Sequence, residues 1–346
     1  RGSVREVLEH VEYIDKVGLQ VPQVTLLAAR LRSAGWPIER LPLDVDEAVA
    51  TISPLIDLQR LSRMPELPSP RPPRIKQDTV ISVESLHFTY PDGTVALRGI
   101  DLDIKRGEFV AILGHNGSGK TSLVKHFNGL LKPTSGRVLL DGVDTRKATI
   151  GQLAQQVGFI FQDPDSQIFK LKVWDEIAFG PQAIGLSKEQ IRERVEQAAA
   201  DLEISHLLDK KPFFLSKGEK QRVAVASVMA MHPSVLVLDE PTNGQDYQRA
   251  KEIMELAVRL HDQGHTVVVI THDMNLAAEY CDRVVIMQDG RIRIDKPIRD
   301  AYRDENVLRD ASLRPPQVTQ LGRALGYSST WLSVAEAERV LMEVRR

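Results

Sequence analysis

Directly behind the apolar run Phe109-Val110-Ala111-Ile112-Leu113 stands Gly114-His115-Asn116-Gly117-Ser118-Gly119-Lys120-Thr121. The pattern is G-x-x-x-x-G-K-[ST] between a predicted buried strand and a predicted helix, the context that makes it a phosphate cradle. Its glycines open backbone geometries closed to other residues, so successive N–H groups converge on an anion. The helix behind the loop aims the positive end of its dipole at the same point. Lys120 then reaches the β- and γ-phosphates, and Thr121 offers a hydroxyl to Mg2+. A Gly-rich turn ending by accident in Lys-Thr would lack that strand and helix. The chain is expected to bind a nucleoside triphosphate.

Composition narrows the remaining classes. The 346 residues are 42% hydrophobic and 27% charged, values of an ordinary globular chain with room for one large domain and additions. Net charge is −2 and the Lys and Arg are scattered, which leaves no nucleic-acid footprint. A single cysteine, Cys281, excludes an intrachain disulfide and fits a reducing cytosol. No apolar run reaches the length of a membrane span, and no signal-peptide pattern opens the chain. Because the first residue is Arg, the N-terminus is expected not to be the native one.

A repeat supports that expectation. Pro22-Gln23-Val24-Thr25 returns as Pro316-Gln317-Val318-Thr319, and at the same spacing Leu19, Leu27 and Leu31 match Leu313, Leu321 and Leu325. After a short insertion, Leu43-Asp44-Val45-Asp46-Glu47-Ala48 resembles Leu332-Ser333-Val334-Ala335-Glu336-Ala337. A repeat separated by nearly a whole chain length indicates duplicated units. The first copy, residues 1–52, has no phosphate loop before it and reads as the C-terminal tail of a preceding ATPase unit. The second copy is the C-terminal region, residues 301–346. Residues 53–78 carry Pro54, Pro65, Pro68, Pro70, Pro72 and Pro73 and read as an extended, semi-rigid linker.

Residues 79–300 form the central unit. Ile81 to Phe88 alternates as a half-buried strand, and Val138-Leu139-Leu140 reads as another. Leu123, Phe127 and Leu130 mark the buried face of the helix behind the phosphate loop, and Ile191, Val195, Ala198 and Leu202 that of a central helix. Val235-Leu236-Val237-Leu238 and Val267-Val268-Val269-Ile270 are continuous apolar runs, as strands buried on both faces require. Strands alternating with helices indicate an α/β fold with a parallel sheet. Asp239 and Glu240 end one of these strands, at the sheet edge where the phosphate loop opens. Adjacent carboxylates on an extended chain point apart. Asp239 is therefore expected on the Mg2+ shell and Glu240 on the attacking water.

Leu215-Ser216-Lys217-Gly218-Glu219-Lys220-Gln221-Arg222, ahead of the acidic strand, resembles the signature motif of ATP-binding-cassette (ABC) ATPases. Tyr90, Gln162, Asp246 and His272 fall where that family places its adenine-stacking aromatic, glutamine loop, aspartate loop and switch histidine. The resemblance covers about Thr79 to Asp295. It implies a P-loop NTPase fold: a RecA-like parallel-sheet core, an antiparallel β subdomain and an α-helical signature subdomain. Phe88-Thr89-Tyr90-Pro91-Asp92-Gly93, the stretch from Asn128 to Gly136 and the stretch from Phe161 to Phe169 are similar to the energy-coupling-factor subgroup, whose ATPases drive uptake of vitamins and of cobalt or nickel ions. The tail around Pro316-Gln317-Val318-Thr319 is also like that subgroup's. Fused two-cassette members would explain the repeat.

The resemblance implies ATP and Mg2+ as cofactors, and a role for each matching residue. Tyr90 stacks on adenine, while Gly114, His115, Asn116, Gly117, Ser118, Gly119, Lys120, Thr121 and Ser122 hold the phosphates. Thr121 and Asp239 surround the metal with Gln162, which contacts the Mg2+ or the water and reports nucleotide state to the membrane partner. Glu240 and His272 carry the catalysis with Gln162. Ser216 and Gly218, with Glu219, act in trans on ATP held by an opposite cassette, and Asp246 belongs to the loop between the two. Lys217 replaces a glycine of the motif, Glu219 a glutamine, and Gln245 a leucine, so one of the two composite sites is expected to be slow or purely structural.

The expected partners are a second cassette, a transmembrane coupling subunit and a substrate-binding membrane subunit, with the chain peripheral on the cytoplasmic face of the cell membrane. Residues 168–186, with Phe169, Trp174, Phe179 and Pro181, lie by resemblance beside the groove for a coupling helix. Their other reading is a buried aromatic cluster. Another ABC transporter class is the nearest alternative function. A soluble ABC ATPase should add a basic arm, a zinc hook or a long coiled coil, and the sequence has none.

Overall fold

The computed structural model describes residues 3–16, 19–68, 77–161, 163–241 and 247–346. Among these, α1 (Val4–Leu8), α2 (Val11–Lys16), α3 (Gln23–Ser33), α4 (Val45–Ile52) and α5 (Leu58–Ser62) precede the first strand. Strands β1 (Thr79–Thr89), β2 (Val95–Lys105), β4 (Ser135–Leu140) and β5 (Val143–Asp144) make an antiparallel sheet in the order β2-β1-β4-β5. The larger sheet runs β10-β9-β3-β8-β7-β6. Its strands β3 (Phe109–Leu113), β6 (Val157–Ile160), β7 (Val235–Asp239), β8 (Thr266–Thr271) and β9 (Arg283–Gln288) are parallel, and β10 (Arg291–Pro297) closes one edge antiparallel. This is the P-loop NTPase architecture expected.

The two faces of the parallel sheet are separated by the period of two along β3. Phe109, Ala111 and Leu113 join one apolar cluster, while Val110 and Ile112 join the other. The second cluster includes Ile81, Val83 and Val138 of the antiparallel sheet. The first is covered by helices α8 (Val173–Ala183), α9 (Lys188–Asp201) and α10 (Lys217–Met229), and by α11 (Tyr247–Asp262) and α12 (Met274–Tyr280). All five residues of β3 are buried, as a strand covered on both faces must be.

Helix α6 (Lys120–Lys125) leaves the phosphate loop and is shorter than the apolar spacing predicted. Leu123 and Phe127 are buried, but Leu130 is 45% exposed. The chain has already turned at Gly129, whose φ of 72° no helix contains, so Leu130 does not belong to the buried face. α7 (Ile150–Ala154) then leads into β6.

The two repeat copies pack on each other. Helices α13 (Ile298–Arg303), α14 (Glu305–Asp310), α15 (Gln317–Ala324) and α16 (Val334–Glu343) follow the last strand. Leu27, Leu31 and Ile52 of the first copy share one apolar cluster with Leu321, Trp331 and Leu341 of the second, with α3 against α16 and α4 against α15. Their polar anchors are duplicated. Thr25 donates its hydroxyl to Pro42 O, and Thr319 to Trp331 O. Arg5 pairs with Glu47 and bonds Leu41 O; Arg299 pairs with Glu336 and bonds Thr330 O. The repeat therefore reaches back to Arg5 and Arg299, beyond what sequence matching found.

The segment 53–78 is not extended at its start. Ser53–Leu55 forms a short 3-10 turn, α5 follows, and Ile56 and Leu61 are fully buried. Pro54 occupies the first turn of its helix, where the missing N–H costs nothing. Ile56 pairs with Arg345 in an isolated bridge, which ties this stretch to the C-terminus. Residues 69–76 lie outside the described residues.

Candidate nucleotide site

The phosphate loop is closed to side chains where it bends hardest. A Cβ on Gly114 would stand 2.4 Å from Met287 O, and one on Gly119, at φ 101°, 2.8 Å from Ala96 O. Gly119 also begins α6 without any side-chain cap, so the first N–H groups of that helix have no side-chain acceptor. Ser118 Oγ is buried without a hydrogen-bond partner. An anion seated on the loop meets all of these needs.

Tyr90, Asn116, Gly117, Gly119, Lys120, Thr121, Ser122, Asp239 and Glu240 line one cavity of about 510 Å3. Thr94, Val95 and Ala96 complete its wall; they precede or open β2, and only their place after the Tyr90 turn signals them in the sequence. Tyr90 bonds Ser122 Oγ at 2.9 Å and packs edge-on against Phe88. His115 is exposed, its Nδ1 2.7 Å from Asn116 O.

Lys120 is 6% exposed and donates to Gly114 O at 2.8 Å and His115 O at 3.1 Å. Burial lowers its pKa, against the attraction of Glu240 and then Asp239. Thr121 donates its hydroxyl to Asp239 Oδ1 at 3.2 Å. Burial raises the Asp239 pKa; the Thr121 bond works against this and the neighbouring Glu240 charge adds to it. This oxygen pair suits a hard divalent cation, which needs only one or two protein oxygens when phosphate and water supply the rest.

Glu240 leaves β7 at φ 48°, a left-handed conformation that is strained for a residue with a side chain. Its backbone N–H still bonds Ile270 O, so strand pairing holds the bend in place. The carboxylate lies 2.8 Å from His272 Nδ1 and 3.9 Å from Lys120 Nζ. Asp239 and Glu240 thus face different partners, one Thr121 and the other His272. Gln162, Asp246 and Gln245 lie outside the described residues.

Ser216, Gly218 and Glu219 do not enter this cavity. They line another, of about 500 Å3, between α10 and α11. Ser216 caps α10, and Glu219 folds back to accept from the Ser216 N–H and hydroxyl, both at 2.8 Å. Glu219 is held by its own helix end rather than by Lys217.

Phe169 and Phe179 meet edge-on at 4.9 Å, with Lys170 Nζ over both rings. They are 61% and 42% exposed, while Trp174 packs against the core and Pro181 is buried, so the two phenylalanines alone are the surface feature of this stretch. Among the described residues, no helix is long and apolar enough to cross a membrane.

The ABC transporter family profile matches residues 97–243. An ABC transporter ATP-binding protein of Caldanaerobacter subterraneus is 43% identical over 340 residues, which are 97% of this chain and 58% of that protein. A relative from Methanosarcina acetivorans is 39% identical over 330 residues, 92% of this chain and 53% of its own length. The chain spans little more than half the length of these relatives. An energy-coupling factor transporter ATP-binding protein of Clostridium perfringens is 42% identical over 248 residues, 71% of this chain and 87% of its own. Among solved structures, CbiO1 of Clostridium perfringens, part of the ABC transporter complex CbiONQ, is 41% identical. Its TM-score is 0.62, over 72% of this chain and 99% of that one. The dimeric ATP-binding cassette MJ0796, bound to ADP and phosphate, is 31% identical with a TM-score of 0.56, over 63% and 99%.

Proposed function

Because this chain belongs to the ATP-binding proteins of ABC transporters, we propose that it hydrolyses ATP to drive an importer of the energy-coupling-factor type, taking up a vitamin or cobalt or nickel ions. The likeness to the energy-coupling factor protein and to CbiO1 supports the transporter class. The exposed Phe169–Phe179 pair supports a docking place for a transmembrane coupling subunit, itself joined to a substrate-binding subunit. The chain would then work at the cytoplasmic face of the membrane.

The observation that carries the ATPase reading is the placement of Glu240 between His272 and Lys120, beside an Asp239 already bonded to Thr121. In this reading the loop N–H groups and Lys120 hold the β- and γ-phosphates, and Tyr90 takes the adenine. Thr121 and Asp239, with Gln162, hold Mg2+, which neutralises charge on the phosphates when bound. Glu240 accepts the proton of the attacking water, and His272 orients Glu240 and the γ-phosphate.

A second cassette completes the site, since Ser216 and Gly218 line a different cavity from this chain's own phosphate loop. The paired repeat copies and the greater length of the relatives support a preceding cassette in the same polypeptide. Glu240→Gln tests the reading. MgATP affinity should persist while turnover falls by several orders of magnitude. Hydrolysis at the parental rate would falsify the assignment of Glu240.

A further inference from the structure

Two helices at the edge of the ATP site reach the first repeat copy, α11 by its first turns and α12 by its last. Helix α12 begins two residues after His272, and α11 begins directly after Asp246. Tyr247 and Lys251 of α11 and Glu279 of α12 face Leu26 and Arg30 of α3 across a cavity of about 740 Å3, with Arg339 of α16 on its rim. That volume falls within the range of working clefts rather than packing defects.

Helix α12 is pinned at the His272 end. Asp273 caps it through the Asn275 and Leu276 N–H groups, and the fully buried Tyr302 hydroxyl donates to Met274 O at 2.9 Å. Glu279 stands at the far end of this seven-residue helix, about 10 Å away at 1.5 Å per residue. A force on Glu279 therefore reaches the His272 turn through a short rigid rod.

Glu279 is partly buried and has no hydrogen-bond or ion-pair partner among the described residues. Burial raises its pKa, and the cations of Lys251 and Arg30 only partly offset that. Arg30 is meanwhile bonded to Glu338 of α16 at 3.2 Å, with both side chains substantially exposed. An exposed pair of this kind holds weakly. A carboxylate already withdrawn from water gains more from the same guanidinium. One arginine thus has two acceptors, one on each side of the seam. Arg30 is not needed for packing the repeat, because the equivalent position in the second copy is Ala324.

We propose that Arg30 exchanges between Glu338 and Glu279 as the seam opens and closes, so that the first repeat copy and the His272 turn bias each other. The inference rests on the ATPase reading of the His272 site. Arg30 and Glu279 are positioning residues: neither lines the nucleotide cavity.

The test uses this chain with Arg30→Cys and Glu279→Cys in a Glu240→Gln background that holds ATP; the native Cys281 is buried. MgATP binding is titrated in the same samples. Cross-linking of the two thiols by a short bifunctional maleimide should change in rate at least threefold when MgATP is bound. Arg30→Glu and Glu279→Arg should each shift MgATP affinity severalfold in the parental chain, and the exchanged pair should restore it, which a packing defect would not. Binding without a change in cross-linking rate, or additive effects of the charge changes, overturns the proposal. Absence of MgATP binding overturns the ATPase reading, and this inference with it.

Discussion

Gln23 and Gln317 cap each other's helices. Gln23 Oε1 accepts the Val318 N–H at 3.3 Å, and Gln317 Oε1 accepts the Val24 N–H at 3.4 Å. Both helices start after a proline, Pro22 or Pro316, which offers no side-chain cap. Each copy thus supplies the acceptor that the other's first turn lacks.

Gln317→Ala should cost about 0.5–1.5 kcal/mol, the worth of one hydrogen bond, with the Val24 N–H left in a partly buried seam. Leu321→Ala should cost about 2–5 kcal/mol, because it opens a cavity in the cluster the copies share. Urea denaturation of both variants checks the pair. If Leu321→Ala cost no more than Gln317→Ala, the apolar seam would not be what joins the copies.

Asp239 sets function against stability. Burial holds its pKa above the ordinary 3.8. Its favourable contribution is therefore present below pH 3.8 and lost as pH rises through the raised value, so at neutral pH the ionised carboxylate destabilises the nucleotide-free fold. Asp239→Asn should raise the melting temperature at pH 7 while lowering Mg2+-dependent ATP affinity. The stability gain should shrink as pH falls toward 3.8. A variant that melts lower at pH 7 contradicts the sign.

Glu219 should be replaceable by glutamine without loss of fold. Gln keeps an oxygen for the Ser216 N–H, so Glu219→Gln should change stability by less than about 0.5 kcal/mol. Ser216→Ala removes the cap itself and should cost about 1 kcal/mol. In an assembly with a second cassette, the Lys217→Gly, Glu219→Gln double variant should hydrolyse ATP faster if those residues slow one composite site. Turnover unchanged at low and high salt disposes of that idea.

Phe169→Ala and Phe179→Ala should leave MgATP affinity within about twofold, since neither ring lines the nucleotide cavity. Co-purification with a membrane subunit should fall at least tenfold, because exposed aromatic anchors carry much of an interface's energy. Retention equal to the parent places the coupling surface elsewhere.

Much of this protein was legible in its sequence because the signals are local. The Gly114–Thr121 spacing, the apolar run of β3 and the signature stretch Leu215–Arg222 each work within a few residues. The repeat was legible because Pro22-Gln23-Val24-Thr25 survives nearly intact. Leu130 and the start of the 53–78 segment were misplaced for the same reason. A helix end and a burial partner are set by neighbours in space, and Ile56 finds its bridge at Arg345.

By itself the sequence determined the strand and loop chemistry, the acidic pair at the end of β7 and the repeated Pro-Gln-Val-Thr segment. Tertiary structure alone decided which groups meet. Thr121 and Asp239 are 118 positions apart and join because β3 and β7 each pair with β8 in parallel register. Glu240 and His272, 32 apart, meet where β7 and β8 end together. Gln23 and Gln317 meet because two amphipathic surfaces, each too small to bury itself, exclude water from one another.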